Sequence, residues 1–434
     1  MLFRMKLLPR LRLYTDRTRS VPTAETRSRA VLGLLSIAAI VALGVPFVTR
    51  ERSEWDAVFV RTAEHLLAGR DIYAQADGYT YPPFQAFLAV PFALMPTTAN
   101  RIAFYALNLV CLFWMVRSAT KLAGGFAILG AIAGAIFAFH CYAHQQTDVI
   151  VAALVLGGCS YIARGKSIAA ATLFGLGAAM KCTPLLFAPY LLIKGKPFAA
   201  LWLIFIAVGA NLLPDAIHRP ADGAWVSKWY ELYLAPMARP DYSPGIWASE
   251  IVYNQSLVGA MNRWTSTTWS VVHHKIEVRA IPASMPPSEL KHLLIGCFAG
   301  LGTLALAAII RGRRNERGTA WECGMVVSAM LLMSPMSSVP HFATLILPGL
   351  LFAQMYRERR TKYILVFGTI LLLGALATNK DLIGSRNYTI GLWYGSAMWC
   401  AIASFFGCAV GLITSAKSVR VLQVPMYEPL RQAA

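Results

Sequence analysis

The chain has 434 residues, 57% of them hydrophobic and 14% charged, with a mean hydropathy of +0.52. A soluble domain carries closer to about a quarter charged residues, so the composition excludes an ordinary soluble fold and points to an all-α, polytopic integral membrane protein. The net charge of +19 does not mark a nucleic-acid partner, because the excess lies in the N-terminal tail and in short turns between apolar runs, "RGK", "KGK", "RGRRNER" and "RERRTK". That is the positive-inside pattern, and it also favours contact with anionic membrane lipids. The eight cysteines form no CxxC pair and no His/Cys cluster of zinc spacing, so they are expected as apolar packing residues.

In chain order, residues 1–29 form a basic cytoplasmic tail and "AVLGLLSIAAIVALGVPFV" at 30–48 the first span. The Arg-rich stretch before it is too long for a signal-peptide n-region, and the span is expected to be retained. An external loop at 50–81 follows. Segment 82–96, "PPFQAFLAVPFALMP", is short and rich in proline. It is expected to dip into the membrane or lie on it instead of crossing. Parity then puts the turn Arg117 to Lys121 inside, "HQQTD" at 144–148 outside, and both "ARGKS" at 163–167 and "KGK" at 194–196 inside. The intervening segment, 168–193, is too short to cross twice at about 1.5 Å per residue. It predicts a pair of short helices broken at "KCTP".

A span at 197–214 leads to a long aromatic loop at 215–290, expected to rest on the outer surface. Further spans are expected near 291–310, 320–335, 339–355, 362–378 and 389–414, ending in a cytoplasmic tail at 415–434. About eleven or twelve membrane helices result, in one transmembrane catalytic domain over 30–414, with both termini in the cytoplasm of a cell-membrane protein. No internal repeat is visible, which disfavours an inverted-repeat transporter.

On this topology the informative polar residues share the external side: Asp56, His65, Asp71, Tyr73, Tyr81, Gln145, Gln146, Asp148, Asn254, Gln255 and His341. Asp56 is placed to accept a proton from a substrate hydroxyl; an ordinary loop or capping acid is the alternative. Lys181, at membrane depth in "KCTP", is costly unless it meets an anion, or else it snorkels from a helix end. His341 can donate to a phosphate or a sugar hydroxyl, or rest at the interface on a backbone partner. Asn254 and Gln255 offer an amide pair for hydroxyls, and Arg263 a bidentate phosphate donor. Tyr73 and Tyr81 are candidate sugar-stacking residues. No P-loop, HExxH or dinucleotide fingerprint is present. An external site has little access to nucleotide donors, and a lipid-linked sugar fits better.

Together these segments resemble the polyprenol-phosphate-mannose-dependent α-(1→2)-mannosyltransferases of the GT-C class, of actinobacterial type. The shared pattern is an Asp after the first span, then "LLAGRDIY", "YTYPPFQAFLAVPFALMP", "HQQTDV", "KCTP", "NQSL" and "SPMS…H", covering about residues 50–355. The resemblance implies a GT-C-type membrane fold and transfer of mannose from polyprenyl-phosphate-mannose to a phosphatidylinositol mannoside on the periplasmic side. It implies catalytic roles for Asp56 and His341. From their own chemistry and external placement, Lys181, Arg263, Asn254, Gln255, Tyr81, Gln145, Tyr73 and His65 are expected to bind substrate. One departure is that "SSVPH" keeps only the second of the two histidines the family often carries; Pro340 fills the first.

A β-linked donor phosphate and an α-linked product require inversion, by one in-line displacement through an oxocarbenium-like transition state. Asp56 would take the acceptor proton, while His341, Lys181 and Arg263 would stabilise the departing phosphate. Phosphate leaves well unaided, so neither a metal nor another cofactor is expected. A monomer is expected, with membrane lipids as its surroundings and no nucleic-acid partner. The competing readings are a carrier or flippase of a lipid-linked sugar, or a GT-C enzyme with a different polyprenyl-phosphate sugar.

Overall fold

The structure, a computed structural model, describes residues 38 and 40–421 except for 52, 75–77, 240, 243, 246–251, 266–269, 274–275, 280–284, 313–317 and 360. The tail at 1–29, the start of the span at 30–48, the end of the tail at 415–434, most of "RGRRNER" and parts of the loop at 215–290 lie outside the described residues. The chain divides into two compact units, Met1–Thr49 and Arg50–Ala434. In the first, helix α1 (Ile40–Thr49) is described. The Thr49 hydroxyl donates back to the Val45 carbonyl at 2.9 Å.

The second unit opens with a π-helical turn, Trp55–Val60, that runs into α2 (Arg61–Leu67). Then come α3 (Phe84–Ala93), α4 (Thr97–Ala123), α5 (Ile128–Ala143), α6 (Asp148–Ile162) and α7 (Ser167–Met180). A tight turn, Thr183–Leu186, leads into α8 (Phe187–Ile193), and α9 (Pro197–Asn211) follows. The next stretch carries α10 (Trp225–Trp229), α11 (Leu257–Thr265) and an antiparallel hairpin of β1 (Ser270–His273) and β2 (Ile276–Arg279). The unit closes with α12 (Pro287–Gly312), α13 (Gly318–Leu332), α14 (Ile346–Arg359), α15 (Tyr363–Leu376), α16 (Lys380–Trp393) and α17 (Ser396–Val421). The fold is all-α, as expected; among the described residues the hairpin is the exception.

The protein is a multi-pass membrane protein, though its helices are uneven in length. Among the described residues five are long and apolar enough to cross a membrane: Thr97–Ala123, Pro197–Ala216, Pro287–Gly312, Val339–Arg359 and Ser396–Ser415. Helices α15 and α16 add a sixth if their 95° bend is taken within one span, and seven further apolar helices have 10–17 residues. Among the described residues the eleven or twelve membrane helices expected take the form of a mixture of full-length and shorter apolar helices. Several apolar runs are interrupted by residues that stop a helix. Segment 82–96 yields only the ten residues of α3. The segment 168–193 breaks where expected: Lys181 is extended at φ −150°, ψ 114°, and Pro184 opens the next turn.

Helix α6 packs on α4 and α7, α7 on α9, α5 on α14, and both α13 and α15 on α17. The α5–α14 crossing is close because it is glycine against glycine. A Cβ on Gly349 would fall 2.2 Å from the Gly130 carbonyl oxygen, and one on Gly130 2.4 Å from the Gly349 oxygen. Small residues permit such backbone approach in membrane bundles. The crossing sets the turn Val339–Leu345, which precedes α14, against α5 and α6.

The two ends of the bundle differ in chemistry. The start of α6, the end of α7, the end of α13 and the start of the Val339–Leu345 turn meet at one end. At the other, Lys121, Arg164 and Thr319 line a common cavity, and Lys194 pairs with Glu322 of α13 at 2.9 Å. The basic turns at 117–121, 163–167 and 194–196 therefore share one side, opposite the polar cluster.

Candidate active site

Three buried side chains converge at the polar end. Lys181, on the helix break, places Nζ 2.6 Å from Oδ1 of Asp148 and 3.2 Å from Nε2 of His341. Nδ1 of His341 lies 3.6 Å from the same Asp148 oxygen. The side chains are 5% (Lys181), 3% (Asp148) and 10% (His341) exposed. Asp148 opens α6, where the helix dipole favours a carboxylate. Its second oxygen, Oδ2, is buried and has no hydrogen-bond partner among the described residues.

His341 is held by a capping box: the Ser338 backbone N–H donates to its Nδ1 at 3.1 Å, and the Ser338 hydroxyl lies 2.8 Å from the same nitrogen. Nδ1 also lies 3.1 Å from the Ser338 carbonyl, so Ser338 holds this side of the ring in either tautomer. Nε2 meets the Lys181 ammonium at direct hydrogen-bond distance and can accept from it. Pro340 stiffens the same turn, and its carbonyl accepts from the Cys141 thiol at 3.3 Å.

Lys181 and His341 open into a cavity of about 300 Å³, lined further by Thr80, Tyr81, Trp229, Leu186, Leu234, Met330, Met333 and Met336. The wall is largely apolar, with a few convergent polar groups, as small-molecule sites commonly are. Tyr81 lies with its ring 4.9 Å beneath the Lys181 ammonium, a cation–π contact that holds the charge over the cavity. The aromatic loop fixes the "YTYPP" segment through its carbonyls. Tyr73 donates to Tyr81 O at 3.1 Å, Tyr79 to Pro82 O at 2.7 Å, Trp229 to Thr80 O at 3.0 Å, and Tyr233 to Tyr79 O at 3.0 Å. Prolines at 82 and 83 carry no N–H, so these aromatic donors do the anchoring that a strand partner would do elsewhere. Burial pushes the phenols of Tyr73, Tyr79 and Tyr81 up, which keeps them as neutral donors.

Asp56 stands in a second cavity of about 730 Å³, lined by Arg50, Glu51, Glu54, Arg61, Glu64, Asn100 and Arg101 among others. Arg101, in the first turn of α4, binds Asp56 Oδ2 through Nε at 2.6 Å and donates from Nη1 to the Arg50 carbonyl at 2.8 Å. Asp56 Oδ1 is buried without a hydrogen-bond partner among the described residues. One carboxylate oxygen is thus oriented by a guanidinium, and the other makes no hydrogen bond among the described residues.

Between the two cavities runs a line of hydrogen bonds. The Tyr81 hydroxyl donates to Gln146 Oε1 at 3.0 Å, and Gln146 Nε2 donates to Glu54 Oε2 at 2.8 Å. Glu54 Oε1 pairs with His144 Nδ1 at 2.8 Å. Burial alone would raise the Glu54 carboxyl, but the His144 and Gln146 bonds outweigh it and hold it below its ordinary value.

The structure therefore brings Lys181, His341 and Tyr81 together, with Tyr73 behind Tyr81, and sets Asp56 in the neighbouring cavity. Gln145 is buried at φ 50°, shaping the turn that carries Gln146. The other sequence candidates lie elsewhere. His65 contacts the Asp71 carbonyl at 3.3 Å and lines neither cavity. Asn254 donates to Pro335 O at 3.1 Å, and Gln255 bridges the carbonyls of Val252 and Leu392 at 2.6 and 2.8 Å. Arg263 is 1% exposed, donating to the carbonyls of Asn254, Trp393 and Leu392 at 2.7, 3.1 and 3.3 Å. These three stitch the wall behind Pro335 and do not reach the Lys181 cavity. Sequence reasoning placed Gln146 and Asp148 outside without a role, and did not single out Glu54 or Arg101. The available signal was an acid opening an otherwise apolar helix opposite a lone membrane-depth lysine. Among the described residues no three His, Cys, Asp or Glu side chains gather into a metal-binding group.

A lysine and a histidine on one largely apolar cavity at one end of a helical bundle, with a carboxylate in a neighbouring cavity, define the class: a multi-pass membrane protein with a polar site at one end. The chain belongs to glycosyltransferase family 87, whose family model matches residues 79–335. That span covers the YTYPP segment, Gln146, Asp148 and Lys181; Asp56 and His341 lie outside it. Among solved structures the chain is similar to the crystal structure of ArnT from Cupriavidus metallidurans bound to undecaprenyl phosphate, at 14% identity over 90% of this chain and 78% of that one, with a TM-score of 0.37. None of the curated proteins matches the chain.

Proposed function

We propose that this glycosyltransferase is an inverting enzyme of GT-C type. It moves mannose from polyprenyl-phosphate-mannose to a phosphatidylinositol mannoside, forming an α-(1→2) link on the periplasmic side. Within its sequence likeness the chain most resembles PimE, the mannosyltransferase that elongates these glycolipids. The observation that carries the donor assignment is the convergence of Lys181 and His341 on one largely apolar cavity. A phosphate answers the Lys181 ammonium and the imidazole beside it, and the apolar wall answers the prenyl chain.

In the reaction the acceptor hydroxyl oxygen attacks the anomeric carbon as the bond to the phosphate oxygen breaks. Lys181 and His341 stabilise the negative charge that grows on the departing phosphate. The acceptor proton passes to Asp56 Oδ1, with Oδ2 held by Arg101. Asp148 pairs with Lys181 and aims its ammonium. No step calls on a metal.

The test is transfer by purified protein from polyprenyl-phosphate-mannose to a phosphatidylinositol tetramannoside, with the new linkage assigned by NMR. Transfer from another polyprenyl-phosphate sugar, with mannose refused, would replace the donor assignment. Movement of the donor across vesicles without any transfer would favour a carrier.

A further inference from the structure

We propose that Gln146 is a positioning residue which closes a partition between a donor chamber and an acceptor chamber, and so keeps water from the activated sugar. This rests on the glycosyl-transfer reading above. The two groups that reaction needs stand in different cavities: Lys181 and His341 in the one of about 300 Å³, Asp56 in the one of about 730 Å³. Their linings are unlike. The first is mostly apolar, and the second is dense in carboxylates and guanidiniums, which suits a polyhydroxylated headgroup. Tyr81 lines the first and Glu54 the second, and Gln146 bonds to both, accepting from Tyr81 at 3.0 Å and donating to Glu54 at 2.8 Å.

The amide is suited to this place, since it accepts on one side and donates on the other, whereas a carboxylate would repel Glu54 and an ammonium would repel Lys181. Its backbone is specified too. Gln145 takes φ 50°, in the left-handed region that non-glycine residues seldom adopt. The Gln146 N–H donates to Cys141 O at 2.9 Å. The turn is strained in order to set this one side chain between the chambers.

An acceptor hydroxyl must pass this line to reach the anomeric carbon. Water passing it would waste the donor: its oxygen would bond to the anomeric carbon, the carbon–oxygen bond to phosphate would break, polyprenyl phosphate would leave with the electron pair, and the water proton would go to solvent. A closed Tyr81–Gln146–Glu54 line withholds that side reaction until the acceptor fills the second chamber.

The experiment measures free mannose released and mannose transferred, in one reaction with polyprenyl-phosphate-mannose and a phosphatidylinositol tetramannoside. It compares wild type with Gln146→Ala and with Tyr81→Phe, which keeps the ring under Lys181 and removes the hydroxyl. The ratio of release to transfer should rise on the order of tenfold in each variant, the effect of losing about one hydrogen bond's worth of discrimination. A merely structural role lowers both yields and leaves the ratio in place; that result in both variants overturns the proposal. Wild type that neither transfers nor releases mannose overturns the transfer reading itself, and the partition with it.

Discussion

The Lys181 ammonium lies 2.6 Å from the Asp148 carboxylate, and neither side chain is more than 5% exposed. A buried pair of this kind is poor evidence for stability, because desolvating two charges offsets much of their attraction. Removing one partner is a different matter. Asp148→Ala strands a buried ammonium and should cost about 3–5 kcal/mol, seen as a large fall in thermal unfolding temperature in detergent. The double variant Asp148→Leu, Lys181→Met should recover most of that stability while failing to bind polyprenyl phosphate. If the double variant binds the lipid phosphate as well as wild type, Lys181 is not its cation.

In the proposed reaction His341 acts through Nε2, the nitrogen facing Lys181. His341→Ala should lower kcat on the order of a hundredfold, the usual loss when one donor to a developing anion is removed. Ser338 orients the ring from its Nδ1 side at 2.8–3.1 Å. Ser338→Ala keeps the backbone donor and should fall by about tenfold or less. Equal losses in steady-state kinetics would mean that the ring acts by packing alone.

Asp56→Asn preserves shape and the contact with Arg101 but cannot take the acceptor proton. Transfer should fall by about 10²–10⁴-fold, with binding of polyprenyl-phosphate-mannose unchanged, because the donor cavity does not include residue 56. Titrating donor binding by fluorescence alongside single-turnover transfer separates the two. Near-wild-type turnover would move the base to another residue of the second cavity, Glu54 first among them.

Some of this arrangement was legible in the sequence and some was not. A lysine inside an apolar run stands out because burial is costly, and the proline three residues on marks the break that exposes it; both came from local chemistry. Asp148 was harder to read, since an acid at a helix start has an ordinary local explanation as a cap. The Glu54–Gln146 bond joins residues 92 apart, and no periodicity records such a pairing. Arg263, Asn254 and Gln255 show the converse. Their side chains offer the same donors to a phosphate, a sugar or a backbone carbonyl, and only tertiary packing says that here they serve carbonyls.

Arg263 accordingly makes a stability prediction. Arg263→Ala removes donors from the carbonyls of Asn254 and Trp393, each costing about 1–3 kcal/mol if left unsatisfied, while the Leu392 carbonyl keeps Gln255 and the Gly395 N–H. The variant should lose substantial thermal stability in detergent. A selective rise in the KM for the lipid donor, at unchanged melting temperature, would instead return the guanidinium to substrate binding.

Helices α5, α6, α7 and α13, whose ends carry or border the site, have only 14–16 residues. At about 1.5 Å per residue they reach roughly 21–24 Å, against about 30 Å of hydrocarbon in an ordinary bilayer. They are inner helices, with nearly all of α13 and most of α6 buried, whereas the more exposed α4 and α12 have 27 and 26 residues, roughly 39–40 Å at about 1.5 Å per residue. The short helices thus leave a recess inside the bundle that the longer ones overtop. In the proposed reaction the sugar phosphate would descend into that recess, below the level of the surrounding headgroups, while its chain stays in the hydrocarbon.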